Sequence, residues 1–384
     1  MNKKKILIFV SYYLPGYKAG GPAKTIANLV DTLGDEFDFY IVTRDRDKGD
    51  DEPYKGVSYD SWISLGKAKI MYVESNVSFI KCIFKLMREQ PFDSIYLNSF
   101  FDVLYTFIPI LLRGLFFPSL NVVLAPRGEF SPAAMKLNAL RKKLYLWCFR
   151  RLGLYRNIRW QASSSFEMAD IINIIDNAEI RVAIDMPSAS GDPFEISLSS
   201  SIDNQDKLRV IFLSRISRMK NLDYAISLFE GVESPTQLDI YGPIEDAKYW
   251  SNCLSLIEAL PNNIDVNYLG KLEPFLVSRT LANYDLFLLP TLGENYGHVI
   301  AESLLVGTPV LISDRTPWSW LEKDKLGWSF PLSHPEKYIS ILNSFLINHP
   351  KEKALAERKS RISRAKMVLF SDAIVEENRK LFSS

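Results

Sequence analysis

The stretch Pro290-Thr-Leu-Gly-Glu294-Asn-Tyr-Gly297-His-Val-Ile-Ala-Glu302-Ser-Leu-Leu-Val-Gly-Thr-Pro-Val310 decides how the chain is read. The apolar run leading into it, Asp285-Leu-Phe-Leu-Leu-Pro290, predicts a buried parallel strand. Gly293 and Gly297 bracket a loop, and the periodic segment 298–305 leaves that loop as a helix. Glu294 then sits in the loop, and Glu302 sits eight positions on, within the helix. A helix start offers unpaired N–H groups and a partial positive charge, so the backbone of Gly297, His298 and Val299 suits a phosphate. An ionised carboxylate accepts from two neighbouring hydroxyls, which makes Glu294 a candidate sugar ligand and Glu302 a candidate ribose ligand. Asn295 and Tyr296, between them, belong to the same candidate donor surface. The plainer alternative is a helix-start carboxylate followed by a solvated helix residue.

Working outward, 384 residues exceed one ordinary core and favour two or three domains. Short β-branched runs at 6–10, 39–43, 70–73, 94–97, 122–125 and 160–162 alternate with helical patterns, as βα units on a parallel sheet do. A second series at 209–213, 238–241, 266–269, 286–289 and 310–312 repeats the rhythm. The stretch between them, 188–207, is rich in Ser, Asp and Gly and reads as a linker. The expected fold class is α/β, with two Rossmann-like parallel-sheet domains whose strand ends present ligand crevices.

Composition narrows the function. Hydrophobic residues at 47% and charged residues at 24% are ordinary for a soluble protein, and a net charge of +1 argues against a uniformly basic nucleic-acid binder. Cys82, Cys148 and Cys253 form no metal-ligand pattern and read as reduced thiols of a cytoplasmic protein. With only His298, His334 and His349 available, a multi-histidine metal site is not expected. The basic start, Met-Asn-Lys-Lys-Lys5, is followed by too short an apolar run for an export segment and reads as a first strand. The longest apolar region, 100–112, falls short of the ~20 residues of a spanning helix and reads as a buried one.

Further candidates lie at strand ends. After 209–213 come Arg215, Arg218 and Lys220, fixed cations of the kind that stabilise a departing diphosphate; a solvated basic loop is the bland alternative. Tyr241-Gly242-Pro243 and Tyr268-Leu-Gly270-Lys271 end strands at glycines, where backbone can approach a ligand. The loop 12–22 carries Gly20 and Gly21 before a helix and does not fit Gly-x-Gly-x-x-Gly, so a nicotinamide site is disfavoured. Ala125-Pro-Arg127-Gly-Glu129 follows another strand of the first series.

Glu294 through Pro309, followed by Thr316-Pro317-Trp318, resembles the donor-site signature of retaining glycosyltransferase family 4, the GT-B enzymes classed as group 1 glycosyl transferases. The resemblance implies two domains closing on each other across a cleft: residues 1–188 on the acceptor side, 189–207 as linker, 208–370 binding the nucleotide sugar, and helix 371–384 crossing back to the first domain. Arg215 and Lys220 match the family's Arg-x4-Lys pair on the diphosphate, Gly270 with Lys271 borders the nucleobase, and Gly20-Gly21 lies beside the donor phosphate. Many relatives carry His-Gly where this chain has Arg127-Gly128, so the resemblance leaves Arg127 or Glu129 to take a polar role at the donor sugar, with a structural ion pair as the alternative.

The implied activity is retaining transfer of a hexose-type sugar from a UDP- or GDP-linked donor to a glycan, lipid-linked or free, in O-antigen, capsule or exopolysaccharide assembly. It needs no metal and no cofactor beyond the substrate, and the catalytic candidates are Glu294, Arg215, Lys220 and Arg127. A nucleotide-sugar epimerase and a non-catalytic GT-B scaffold are the alternatives. The segment 141–159 carries seven Arg and Lys residues and no acid, interleaved with Leu, Tyr, Trp and Phe. It suits peripheral attachment to the inner face of an anionic membrane, and equally a solvated basic helix packed on its apolar side.

Overall fold

Parallel strands need a long crossover to return to the same edge of a sheet, which is why apolar runs and helical segments alternate along this chain. The computed structural model describes residues 3–74, 77–188, 207–348 and 351–383. It divides into two compact units, Met1–Ser190 with Asp372–Ser384, and Gly191–Ser371. Of the expected linker, 189–206 lie outside the described residues.

Among the described residues the first unit holds eight strands: β1 (Lys4–Phe9), β2 (Phe37–Arg44), β3 (Ile63–Leu65), β4 (Ala68–Val73), β5 (Ser94–Leu97), β6 (Asn121–Leu124), β7 (Ile158–Ala162) and β8 (Glu179–Val182). Their order is β3-β4-β2-β1-β5-β6-β7-β8, parallel throughout except for the β3–β4 pair. Both faces are covered, so the central strands read as continuous apolar runs. On one face Ile6, Ile8 and Ile41 pack with Ile26, Leu29 and Leu33 of the helix Gly21–Leu33. On the other, Phe100, Phe149 and Trp160 join Leu97 and Leu124. The helix expected over 100–112 begins only at Val103 and is partly rather than fully buried: Phe100 lies at a bend and packs against Phe130 and Phe149, and a π-helical turn from the exposed Val103 runs on into the helix Ile108–Phe116. Asp102 sets that start, because its side chain accepts from the Tyr105 N–H at 2.9 Å.

The helix Asp372–Lys380 belongs to the first unit. Asn378 Nδ2 donates to the Ile184 carbonyl at 2.8 Å, and Arg379 forks onto Glu36 at 2.6 and 2.8 Å. Phe382 then meets Phe37, Phe39 and Tyr96 edge-on, with centroids 5.5–6.1 Å apart.

The described residues of the second unit form six parallel strands: β9 (Leu208–Leu213), β10 (Thr236–Tyr241), β11 (Ile264–Tyr268), β12 (Leu286–Leu289), β13 (Val310–Ser313) and β14 (Gly327–Phe330). Their order is β11-β10-β9-β12-β13-β14. The chain builds outward from β9 to β11, then returns to pair β12 beside β9 and builds the other way. That reversal makes β9–β12 a topological switch point, and β1–β5 is its counterpart in the first sheet. No helix among the described residues is long and apolar enough to cross a membrane.

Phe382→Ala removes a fully buried ring from three aromatic contacts and is expected to destabilise the first unit by about 3–5 kcal/mol, against less than about 1.5 kcal/mol for Phe382→Leu after repacking. Urea unfolding of the full chain followed by tryptophan emission checks it.

Candidate functional site

At the switch point of the second sheet, the loops after β9 and β12 are bound to each other through hydrogen bonds to backbone carbonyls. Thr291 Oγ1 and the Leu292 N–H both donate to the Met219 carbonyl at 2.9 Å, and Asn221 Nδ2 donates to the Pro290 carbonyl at 2.9 Å. Met219 and Asn221 flank Lys220, so this stitching delivers the lysine to Glu294, and the two form an ion pair. Their side chains are only 11% and 17% exposed, so the charges meet in a partly desolvated setting where Coulomb attraction is stronger than in water.

The loop that presents Glu294 is equally constrained. Its N–H donates to the Arg315 carbonyl at 3.0 Å, and Trp318 Nε1 donates to the Tyr296 carbonyl. The Tyr296 ring lies 5.0 Å from that of His298 and 5.2 Å from that of Trp318. Gly297 turns the chain into the helix His298–Leu305 with φ of 82°; a side chain there would place Cβ 2.9 Å from Glu294 Cγ and 2.8 Å from Ile300 Cδ1. The glycine is thus required both by its left-handed backbone and by the closeness of the glutamate. No side-chain oxygen caps this helix start. Glu302, half-buried, stands one turn beyond His298 on the same helix face.

Around this centre the other candidates gather on the ends of β9, β10 and β11. Arg215 is 54% exposed and pairs with Glu245 at 2.9 Å, while Arg218 lies 3.5 Å from Asp246 and over the Tyr249 ring. Gly242 has φ of 141°, and a Cβ there would fall 1.8 Å from the Ser214 carbonyl oxygen, so β9 and β10 can end this closely only with glycine. Its N–H donates to the Gly270 carbonyl at 2.8 Å, and its own carbonyl accepts from Tyr268 Oη at 2.9 Å. Lys271 follows, exposed. The sequence reading passed over Met219 because its part is played by the carbonyl, which no side-chain pattern marks.

In the first unit, Gly20 and Gly21 lie exposed at the start of the helix Gly21–Leu33, with Gly20 at φ of 74°. Arg127 departs from expectation. Its side chain is 6% exposed, and its guanidinium donates to Asp185 at 2.5 Å, to Asn98 Oδ1 and to the Tyr96 hydroxyl. Burial opposes its charge, yet Asp185 beside it leaves the pKa raised above the ordinary arginine value. A guanidinium whose donors are engaged inside the unit is a structural group, and the catalytic role expected of Arg127 is corrected accordingly. Its partner is Asp185, from the far end of the unit, rather than Glu129. Glu129 is engaged as well: its carboxylate accepts from the Phe100 and Phe101 N–H groups and Ser99 Oγ at 2.5–3.0 Å, and burial pushes its pKa up.

Arg127→Met leaves Asp185 buried without its cation, so we expect a loss of about 3–5 kcal/mol in the stability of the first unit. Urea unfolding is the measurement; stability unchanged by the substitution would overturn the structural role and return Arg127 to the ligand-facing candidates.

Residues 195–361 match the family described as Glycosyl transferases group 1. Over 352 residues the chain is 23% identical to an uncharacterised 41.2 kDa protein in cps region of Klebsiella pneumoniae, covering 88% of this chain and 91% of that one. Among solved structures, Anabaena HepE in complex with UDP-glucose superposes with a TM-score of 0.68 at 16% identity, covering 98% of both chains. Sucrose-phosphate synthase from Thermosynechococcus elongatus does so with a TM-score of 0.68 at 16% identity, covering 99% of this chain and 98% of that one. The fold is therefore that of the GT-B glycosyltransferases, and residues 195–361 of the chain are similar to the group 1 glycosyl transferases.

Proposed function

We propose that the chain is a metal-independent, retaining glycosyltransferase that moves a hexose-type sugar from a UDP- or GDP-linked donor to a hydroxyl of a growing, lipid-linked glycan. The observation that carries this reading is the Lys220–Glu294 pair at the β9–β12 switch point, next to a helix start without a side-chain cap. Such a site holds its two charges against each other until a ligand of the right polarity arrives. A diphosphate competes for Lys220 and for the N–H groups of the helix start, and Glu294 is then released to accept from sugar hydroxyls. Glu302 takes the ribose hydroxyls. In the transfer, the bond between the anomeric carbon and the phosphate oxygen breaks, and the acceptor oxygen bonds to that carbon on the same face. The acceptor's proton passes to the departing phosphate. Lys220 and Arg215 stabilise the charge that builds on the phosphate, the work a divalent cation does elsewhere.

HepE, similar in fold, is described in complex with UDP-glucose, and the Klebsiella relative is described as lying in a cps region; both support a nucleotide-sugar donor and a cell-surface polysaccharide such as capsule as product. The helix Ala139–Arg151 supports attachment to the inner face of an anionic membrane. Leu140, Leu144 and Trp147 are exposed at spacings of four and three along it, with Arg141, Lys143, Arg150 and Arg151 exposed around them.

Thermal-shift titration with UDP, GDP, ADP, dTDP and their sugars tests the donor site. One nucleotide at ~100 times its dissociation constant should stabilise the protein by roughly 2.7 kcal/mol, with the effect lost in Lys220→Ala and Glu302→Ala. Activity with that donor should survive chelator, and the product should keep the donor's anomeric configuration by NMR. Absence of binding by every nucleotide would overturn the enzyme reading in favour of a scaffold. Separately, Trp147→Glu should weaken co-sedimentation with phosphatidylglycerol vesicles while leaving nucleotide binding intact.

A further inference from the structure

The first sheet has its own switch point, β1–β5, and the loops that leave it hold a cation that the donor chemistry does not use. Arg44 is the last residue of β2, which lies beside β1. Its guanidinium carbon sits 5.3 Å from the ring centre of Tyr12, in the loop after β1, and 5.7 Å from that of Tyr105, in the turn after β5. Three strand ends thus converge on one arginine. Its Nε is buried and has no hydrogen-bond partner, and among the described residues Arg44 has no ion pair. Asp45, the next residue along the chain, takes Arg46, and Asp102, which caps the turn carrying Tyr105, takes Ser11 Oγ and the Tyr105 N–H.

An arginine in this setting is unusual on energetic grounds. A partly buried guanidinium is ordinarily matched by a carboxylate or by carbonyls, as Arg127 is by Asp185 and Asn98 in the same unit. Here two aromatic faces supply cation–π attraction, which holds the plane of the guanidinium without occupying its N–H donors. The loop that carries Tyr12 is itself pinned. The Tyr17 and Lys18 N–H groups donate to Asp47 at 2.7 and 3.0 Å, and Tyr72 Oη donates to the Leu14 carbonyl at 2.6 Å. The result is a preoriented fork with free donors at the carboxyl end of a parallel sheet, where such folds bind ligands.

We propose that the first unit binds the acceptor through an anionic group on a sugar, carboxylate or phosphate, received by Arg44 between Tyr12 and Tyr105. The word acceptor rests on the transferase reading above; the anion site does not. It selects a uronic acid or a phosphorylated sugar over a neutral one, because the planar fork matches two oxygens of either anion.

Calorimetric titration of the full chain with methyl glucuronide, glucose 6-phosphate and methyl glucoside tests this, in the wild type, Arg44→Gln and Arg44→Lys. At least one anionic probe should bind about tenfold or more tightly than the neutral glucoside, and which one does so identifies the anion. Arg44→Gln should erase the preference and Arg44→Lys should retain only part of it, with melting temperature and nucleotide affinity of both variants close to wild type. No preference in the wild type, no binding of any probe, or a preference that survives Arg44→Gln would overturn the proposal. Nucleotide binding without an anion preference leaves the transferase reading standing and removes this one. An anion preference in a chain that binds no nucleotide does the reverse.

Discussion

Everything chemical in this chain depends on where a parallel sheet reverses its building direction. In the second unit β12 returns to pair with β9, Leu286 against Val210 and Phe287 against Ile211, although more than seventy residues separate them. Because the strands are parallel, the loops after both emerge at the same edge, and because no crossover covers the reversal, that edge stays open. The first unit repeats the arrangement with β1 and β5, where Ile8 faces Tyr96. Buried Ile, Val, Leu and Phe side chains provide the rigidity, and the polar residues are placed by the hydrogen bonds to backbone carbonyls that tie neighbouring loops together.

Charge pairing then separates structural groups from ligand-facing ones. Arg127 and Asp185 are both almost fully buried, and their remaining hydrogen-bond capacity goes to Asn98, Tyr96 and Thr25. Such a pair costs its desolvation and returns specificity of packing, tying the loop after β6 to the segment after β8. Lys220 and Glu294 are also largely covered but stand beside a helix start with no side-chain cap, and the proposed function has a diphosphate replace one partner of the pair. Arg44 is a third case, held by ring faces, with its donors left over. Three cations beyond three strand ends thus differ in what surrounds them: a buried aspartate, a glutamate at a helix start, and two ring faces.

Most of the architecture was legible from apolar runs, because a strand covered on both faces must be continuously hydrophobic: Leu286–Leu289 and Ser94–Leu97 have the bounds expected of them. The strands that escaped notice, β3, β8 and β14, are all sheet edges. Glu179–Val182 is half-exposed along its length and reads Glu-Ile-Arg-Val, so no apolar run announces it. The site was legible wherever a glycine was required. Gly297 and Gly242 mark close approaches that only a residue without Cβ permits, and their neighbours are the donor-site candidates. Arg127 misled because an Arg-Gly pair after a strand looks the same whether its partner is a ligand or an aspartate fifty-eight positions on.

The amino-acid sequence by itself determined the two-sheet α/β class, the strand–loop–helix junction carrying Glu294 and Glu302, and the basic turn carrying Arg215 and Lys220. These are local consequences of hydrophobic period, glycine placement and helix-start chemistry. Tertiary structure alone decided that Lys220 meets Glu294, that Arg127 turns inward to Asp185, and that Arg44 lies between Tyr12 and Tyr105. Each of those partnerships joins residues separated by tens of positions, and strand order, which a hydrophobic pattern does not encode, brings them together.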